Sequence, residues 1–148
     1  MISFFPDVNV WLALSLDAHP HYPEAWRWLN AIPADGRLLL CWYTQLALLR
    51  LLTNRSVVEP EPLTIAEAWE VLDRFLLDPR IEFHPEPPRL DPAFRQTTAP
   101  LEDRPASKWI GDCFLLAYAE AAGATLVTFD KALLAYSLKH GYAATCPE

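Results

Sequence analysis

The sequence has few glycines, few cysteines and no excess of positive charge, and each shortage excludes a class of protein. Its four glycines lie far apart, so neither a GxGxxG dinucleotide-binding loop nor a P-loop can be formed from them. Its three cysteines occur singly, without a CxxC pair or the spacing of zinc ligands. An odd number of isolated cysteines is typical of reduced thiols, and we therefore expect a cytoplasmic protein.

The charge balance is acidic, with 12 basic and 19 acidic residues and a net charge of −7. This balance argues against nucleic-acid binding through bulk positive charge, but it leaves open contact with phosphates through a bound cation. The N-terminus has no basic region and reaches an acidic residue at Asp7, so we expect no signal peptide. No charge-free apolar run of about 18 residues occurs, and no membrane-spanning helix is predicted.

The length and composition are those of an ordinary globular domain. Of 148 residues, 52% are hydrophobic and 21% are charged. A chain of this size buries roughly two-thirds of its unfolded surface, which is enough for a core without disulfides or structural metals. We therefore expect residues 1–148 to form a single domain.

Strand-like segments alternate with helical segments along most of the chain. The predicted strands are 2–5, 38–41, 80–83 and 124–129, with a short edge strand at 142–145. The predicted helices are 8–16, 21–32, 43–53, 64–77, 107–122 and 131–140. The helix at 43–53 is apolar almost all round and is expected to be central, whereas the proline-rich stretch 85–105 is expected to be loop with at most one short helix near Ala93. This alternation predicts βαβ units and an α/β domain with a parallel sheet.

Three aspartates are predicted to meet at one edge of this sheet. Asp7 directly follows the first strand and Asp130 follows the fourth. From Asp112 the helix runs about 15 Å to its end, at about 1.5 Å per residue. The following strand returns about 16 Å, at about 3.3 Å per residue, so Asp112 should reach the same edge as Asp130. Ligand sites of open parallel sheets lie outside the carboxyl ends of the strands, which is where these acids are expected.

Such a cluster of carboxylates requires protons or a cation. Two unit charges 4 Å apart repel by about 4 kcal/mol at an effective dielectric of about 20. Oxygen ligands alone favour Mg²⁺ or Mn²⁺, and a hard cation of this kind supports phosphodiester hydrolysis. Asp7 and Asp130 each precede a helix, so capping explains either of them taken singly. Asp112 lies inside a helix, where capping cannot explain a carboxylate that is costly to bury without a partner.

Four segments resemble, in order and spacing, the motifs of PIN-domain ribonucleases of the VapC toxin type. Residues 5–12 (FPDVNVWL) resemble the opening D-x-N-V-x-L motif, and residues 19–29 resemble an H-P-x-H…A-x-x-W-L segment. Residues 44–54 (TQLALLRLLTN) resemble one branch of that family. The last similarity joins residues 112–119 (DCFLLAYA) to residues 126–130 (LVTFD).

This resemblance implies a PIN-like three-layer α/β/α fold with a parallel sheet of four or five strands, and an endoribonuclease of a toxin–antitoxin pair. It also implies Mg²⁺ or Mn²⁺ as the cofactor, an RNA substrate, a cognate antitoxin and a homodimer. Asp7, Asp112 and Asp130 match the acids of the family's metal site. Asn9 and Thr128 match polar residues that support that site.

Two residues of the helix at 43–53 need separate interpretation. Gln45 stands where the family usually has a glutamate, and its amide offers a carbonyl oxygen but no charge. The number of metal positions, one or two, therefore stays open. Arg50 either contacts a substrate phosphate or pairs with an acidic residue, and the sequence favours the pair.

Two other functions are compatible with the same pattern. A PIN-like module could bind RNA or a partner protein without cleaving. A phosphatase of small molecules could use an acidic pocket on a similar sheet. An aspartyl nucleophile in such a phosphatase requires a second aspartate two residues after the first, and Asn9 at that position counts against this class.

Overall fold

Five strands form one sheet in the computed structural model, which describes residues 2–148. The strands are β1 (Ser3–Pro6), β2 (Arg37–Leu40), β3 (Ile81–Phe83), β4 (Thr125–Val127) and β5 (Ala144–Thr145). Their order in the sheet is β3-β2-β1-β4-β5, and every neighbouring pair is parallel. The expected parallel sheet of four or five strands is confirmed.

Seven α-helices connect and cover these strands within the described residues. They are α1 (Val8–Ser15), α2 (Tyr22–Ala31), α3 (Trp42–Leu52), α4 (Ile65–Leu76), α5 (Leu90–Thr98), α6 (Ile110–Ala121) and α7 (Lys131–Lys139). Two short 3-10 turns, Ala99–Leu101 and Ser107–Trp109, lie between α5 and α6. None of the helices among residues 2–148 is both long enough and apolar enough to cross a membrane.

The core consists of two hydrophobic clusters, one on each face of the sheet. Neighbouring side chains of a strand point to opposite faces, and β2 shows this directly. Leu38 and Leu40 belong to the cluster formed with α1 to α4, whereas Leu39 belongs to the cluster formed with α5 to α7. The result is the three-layer α/β/α arrangement implied by the family resemblance.

Local sequence signals fix several helix ends. The Thr64 hydroxyl accepts a hydrogen bond from the backbone N–H of Glu67 at 3.1 Å. The Glu67 carboxylate in turn accepts from the backbone N–H of Thr64 at 3.0 Å, which completes the capping box that begins α4. Gly123 follows α6 with a φ of +67°, a left-handed conformation that favours glycine at the end of a helix.

The proline-rich stretch contains more structure than the sequence indicates. Helix α5 is nine residues long and packs on α6, where the Thr97 hydroxyl donates to the carbonyl of Cys113 at 2.9 Å. Its prolines are compatible with this helix because Pro92 lies in the first turn and Pro100 follows the helix end. The prolines of this stretch therefore lie near the two ends of the helix and do not interrupt it.

The expectation that α3 is a central helix is wrong. Its buried residues are Thr44, Gln45, Leu48 and Leu52, which lie on one side. Trp42 is 70% exposed, and Leu46 is also exposed on the other side. An apolar composition shows that a helix can be buried, but the neighbouring elements decide whether both of its faces are covered.

Candidate active site

Asp7 lies in the turn between β1 and α1 and is held by three hydrogen-bond donors. Its Oδ1 accepts from the backbone N–H of Val8 at 2.7 Å, which makes it the N-cap of α1. Its Oδ2 accepts from the hydroxyl of Thr128 at 2.9 Å and from the side-chain amide of Asn9 at 3.3 Å. The side chain is only 6% exposed, and this burial raises the pKa of Asp7 while the hydrogen bonds from Thr128 and Val8 oppose the rise.

Thr128 connects the two turns that carry Asp7 and Asp130. Its fully buried hydroxyl donates to Asp7 and accepts from the amide of Asn9 at 3.2 Å and from the backbone N–H of Asp130 at 3.0 Å. Asn9 also accepts from the backbone N–H of Phe129 at 3.2 Å. This geometry follows from the sheet, because β1 and β4 are neighbours and the backbone N–H of Asp7 bonds to the carbonyl of Val127 at 2.8 Å.

Asp130 is an exposed N-cap that still has a free oxygen. Its Oδ1 accepts from the backbone N–H groups of Ala132 at 2.9 Å and Leu133 at 3.1 Å, at the start of α7. Its Oδ2 accepts no hydrogen bond from any described residue. Capping and ligand binding are therefore compatible for this carboxylate, since they use different oxygens.

Asp112 lies in the first turn of α6 and has no hydrogen-bond partner among residues 2–148. Burial, followed by the charge of Asp7 and the charge of Asp130, raises the pKa of Asp112 to about 6. The three acids that the sequence predicts to meet are therefore close enough to repel one another. No basic side chain is among the described groups that shift the pKa of Asp7 or Asp112.

The donor set fits a hard divalent cation, although it is not a closed cage of ligands. Within residues 2–148, no three acidic, histidine or cysteine side chains are grouped tightly enough to enclose a metal ion. Mg²⁺ commonly keeps several waters and binds through only one or two carboxylates, so an open arrangement is compatible with it. The carboxylate of Asp112 and the Oδ2 of Asp130 have no protein donors that a cation would need to displace.

Tyr43 is a residue of this site that the sequence reasoning missed. Its hydroxyl lies against Gly111, the residue before Asp112, and burial together with the charges of Asp112 and Asp7 raises the pKa of Tyr43. Its hydroxyl oxygen would lie 2.6 Å from a Cβ at Gly111, so a larger residue there would force the phenol to move. A glycine inside the first turn of α6, directly before Asp112, was the signal in the sequence that could have shown a close approach.

The two remaining candidates of α3 have different environments. Gln45 is 7% exposed, and its side chain makes no hydrogen bond to a described residue. Arg50 is exposed, and no ion pair of Arg50 is found among residues 2–148. The acidic partner that the sequence favoured for Arg50 is therefore wrong, since the ion pairs found among residues 2–148 all involve other side chains.

Comparisons with known proteins identify the family of this chain. Residues 4–138 match the PIN domain family. Over 134 residues the chain is 41% identical to Ribonuclease VapC41 of Mycobacterium tuberculosis strain H37Rv, covering 88% of this chain and 90% of that protein.

Two solved structures show the same fold at low sequence identity. The crystal structure of VapBC2 from Rickettsia felis, bound to a DNA fragment from its promoter, gives a TM-score of 0.66 at 16% identity and covers 99% of this chain and 100% of the matched chain. VapC20 of Mycobacterium tuberculosis, described as a Sarcin-Ricin loop cleaving toxin, gives 0.65 at 16% identity and covers 95% and 96%. The extent of the family match and the identity to VapC41 show that this chain belongs to the PIN-domain family.

Proposed function

We propose that this protein is a metal-dependent endoribonuclease that hydrolyses RNA phosphodiester bonds, the toxin of a VapBC-like toxin–antitoxin pair. The observation that carries this function is the position of three acids at the carboxyl edge of the sheet: Asp7 after β1, Asp130 after β4 and Asp112 in the first turn of α6. The 41% identity to a ribonuclease supports the reaction class. PIN-domain VapC nucleases are metal-dependent, and the all-oxygen donor set favours Mg²⁺ or Mn²⁺ for this chain.

The three acids supply the protein ligands of the metal ion in this proposal. Asp7, fixed by Thr128 and Val8, holds its carboxylate rigidly at the floor of the site. Asp112 and the free oxygen of Asp130 supply the remaining protein ligands. A bound divalent cation supplies a water of lowered pKa and neutralises charge on the scissile phosphate. The amide oxygen of Gln45 is a further neutral ligand candidate.

The partners follow from the same proposal. The related structure from Rickettsia felis is a VapBC complex on promoter DNA, and this supports a cognate antitoxin for this chain. We propose RNA as the substrate and a homodimer as the toxin's assembly, acting in the cytoplasm where RNA and antitoxin are found. Arg50, which is exposed and without an ion pair among the described residues, is available to contact a substrate phosphate.

Cleavage of a random-sequence pool of single-stranded RNA tests this function without knowledge of the target. The wild-type protein is expected to cleave in Mg²⁺ or Mn²⁺ and to stop in chelator, and sequencing of the products gives the preferred site. Asp112→Asn is expected to reduce cleavage by orders of magnitude, because it removes the carboxylate that most needs a cation. Asp73→Asn, an exposed aspartate of α4, is the matched control and should cleave as the wild type does.

The outcomes separate the enzyme from its alternative. RNA binding without cleavage under all metal conditions would favour the non-cleaving PIN-like module. Equal cleavage by the wild type and Asp112→Asn would show that the activity does not come from this site. Thermal melting of each variant shows whether a loss of cleavage is a loss of folding.

A further inference from the structure

The hydroxyl of Tyr43 is the most unusual polar group near the acidic site. The Tyr43 ring packs at a tilt against Phe114, with centroids 5.1 Å apart, and the side chain is 41% exposed. Its hydroxyl makes no hydrogen bond to any described residue. The position is nevertheless specific, because the missing Cβ of Gly111 provides the space in which the hydroxyl lies.

The site is negatively charged, and an uncharged hydrogen-bond donor such as the Tyr43 hydroxyl can help it to bind an anion. The charges acting on Asp7 and Asp112 include no lysine or arginine among the described residues. An RNA phosphodiester is itself an anion, so this site must hold negative charge next to negative charge. A phenol donates a hydrogen bond without adding charge, and hydrogen bonds to charged acceptors are the stronger ones.

A tyrosine phenol, with an ordinary pKa of about 10, carries its proton at neutral pH and can donate it in a hydrogen bond. A phosphate oxygen that enters the site could accept this hydrogen bond, because the Tyr43 hydroxyl donates to no described residue.

We propose that the hydroxyl of Tyr43 donates a hydrogen bond to a non-bridging oxygen of an RNA phosphate bound beside Asp112, and that Gly111 is required to admit this hydroxyl. This inference rests on the proposed ribonuclease function and adds a substrate-contacting residue to it. The ring of Tyr43 contributes packing on Phe114, but the hydroxyl contributes substrate binding alone. The neighbouring Trp42 differs, because its ring packs edge-on against Phe83 and nothing links it to the acids.

Tyr43→Phe isolates the hydroxyl because it keeps the ring. On an oligonucleotide chosen from the preferred cleavage site, single-turnover kinetics give the half-saturating concentration and the rate at saturation. The variant is expected to raise the half-saturating concentration about 10- to 100-fold, while the saturating rate changes by less than about threefold. Its melting temperature should match that of the wild type, since no protein hydrogen bond is lost.

A matched control removes a tyrosine hydroxyl elsewhere. Tyr142 is influenced by the charge of Glu120, which lies about 12 Å along α6 from Asp112. Tyr142→Phe should leave both kinetic quantities unchanged.

The phosphate itself is tested by oligonucleotides that each carry one uncharged methylphosphonate linkage at a different position. One position should weaken binding by the wild type and should have little further effect on Tyr43→Phe. Gly111→Ala should displace the phenol and weaken binding by the wild type, but it should add little in the Tyr43→Phe background, where no oxygen meets the new Cβ.

The results that overturn the inference differ from those that overturn the function. If the wild type cleaves, Asp112→Asn does not, and Tyr43→Phe has a wild-type half-saturating concentration, the hydroxyl does not contact substrate and the ribonuclease assignment stands. A fall in the saturating rate alone also contradicts a contact in the bound substrate. If the wild type does not cleave RNA, or Asp112→Asn cleaves equally well, the function fails and this inference fails with it.

Discussion

The acidic site has two halves that differ in how their polar groups are satisfied. In the first half, Asp7, Asn9 and Thr128 form a continuous hydrogen-bond network across two neighbouring strands. In the second half, the carboxylate of Asp112 and the hydroxyl of Tyr43 have no hydrogen-bond partner among the described residues. Strand pairing builds the first half, whereas the packing of α3 and α6 places the second half and leaves its polar groups for a ligand.

Burial raises the pKa of both carboxylates, but hydrogen-bond donors offset part of this rise at Asp7 alone. The charge of Asp7 is buried, but it is stabilised by three donors. Burial and the charges of Asp7 and Asp130 raise the pKa of Asp112, and no hydrogen bond from a described residue opposes the rise. Asp7→Asn takes an acceptor oxygen away from these donors and should therefore weaken the metal-free protein, whereas neutralising Asp112 should strengthen it.

The largest expected effect is that of Asp7→Asn. RNA cleavage should fall by orders of magnitude, because a rigid charged ligand is lost. Asparagine still caps a helix, but it offers one acceptor oxygen where Asp7 uses two, so unfolding in urea with chelator should show a loss of about 1–2 kcal/mol. The exposed Asp17→Asn is the control and should change neither quantity. Retained cleavage by Asp7→Asn would reduce Asp7 to a helix cap.

Thr128→Val tests whether the network of the first half is structural. Valine has nearly the same shape, but it removes the hydroxyl that serves Asp7, Asn9 and the backbone of Asp130. We expect a loss of about 2 kcal/mol in the free energy of unfolding, since buried polar groups lose their partner. Thr125→Val in β4, the strand that Thr128 follows, is the control, because the Thr125 hydroxyl has no hydrogen bond among the described residues. Equal losses in the two variants would show that the network adds nothing to stability.

The pH dependence of stability should reveal the second half. The pKa of Asp112 is about 6 in the native state, against an ordinary value of 3.8. The native state therefore binds this proton more tightly than the unfolded state, and stability in chelator should fall as the pH rises from about 4 to about 6. The difference is at most about 3 kcal/mol, and screening of a half-exposed carboxylate reduces it to about 1–2 kcal/mol. Urea titrations at several pH values should show a smaller fall for Asp112→Asn than for the wild type; equal falls would contradict the raised pKa.

The smallest expected effect is that of Gln45→Glu, which would extend the unsatisfied half. A fourth carboxylate at this nearly buried position should lower stability in chelator by about 1 kcal/mol and increase the rise of the melting temperature on adding Mg²⁺. Gln96→Glu on the exposed surface of α5 is the control for added charge alone. If Gln45→Glu behaves as this control does, Gln45 does not face the acids.

The sequence predicts the positions of the three acids better than the contacts of the groups around them. Asp7 and Asp130 follow strands, so alternation of strands and helices is enough to place them at one edge of the sheet. The position of Asp112 follows from the lengths of one helix and one strand. The triple role of Thr128 depends on the register of β1 and β4, which the sequence alone does not determine.

The second half depends on contacts between helices that are distant in the chain. The approach of Tyr43 to Gly111 requires α3 to pack beside α6, and no local pattern encodes that distance. The exposed face of α3 was not predicted for the same reason, because the elements that pack on a helix decide which of its faces is buried. Apolar composition alone made α3 look central.

The most direct test of this account is the melting temperature of Asp112→Asn and the wild type, each measured in chelator and in excess Mn²⁺ or Mg²⁺. We expect the wild type to melt lower than the variant in chelator and to gain stability with metal, because a ligand that binds only the native state stabilises it. The variant should start higher and gain little. A variant that melts below the wild type in chelator, or that gains as much from the metal, would contradict the claim that Asp112 is held unsatisfied for a cation.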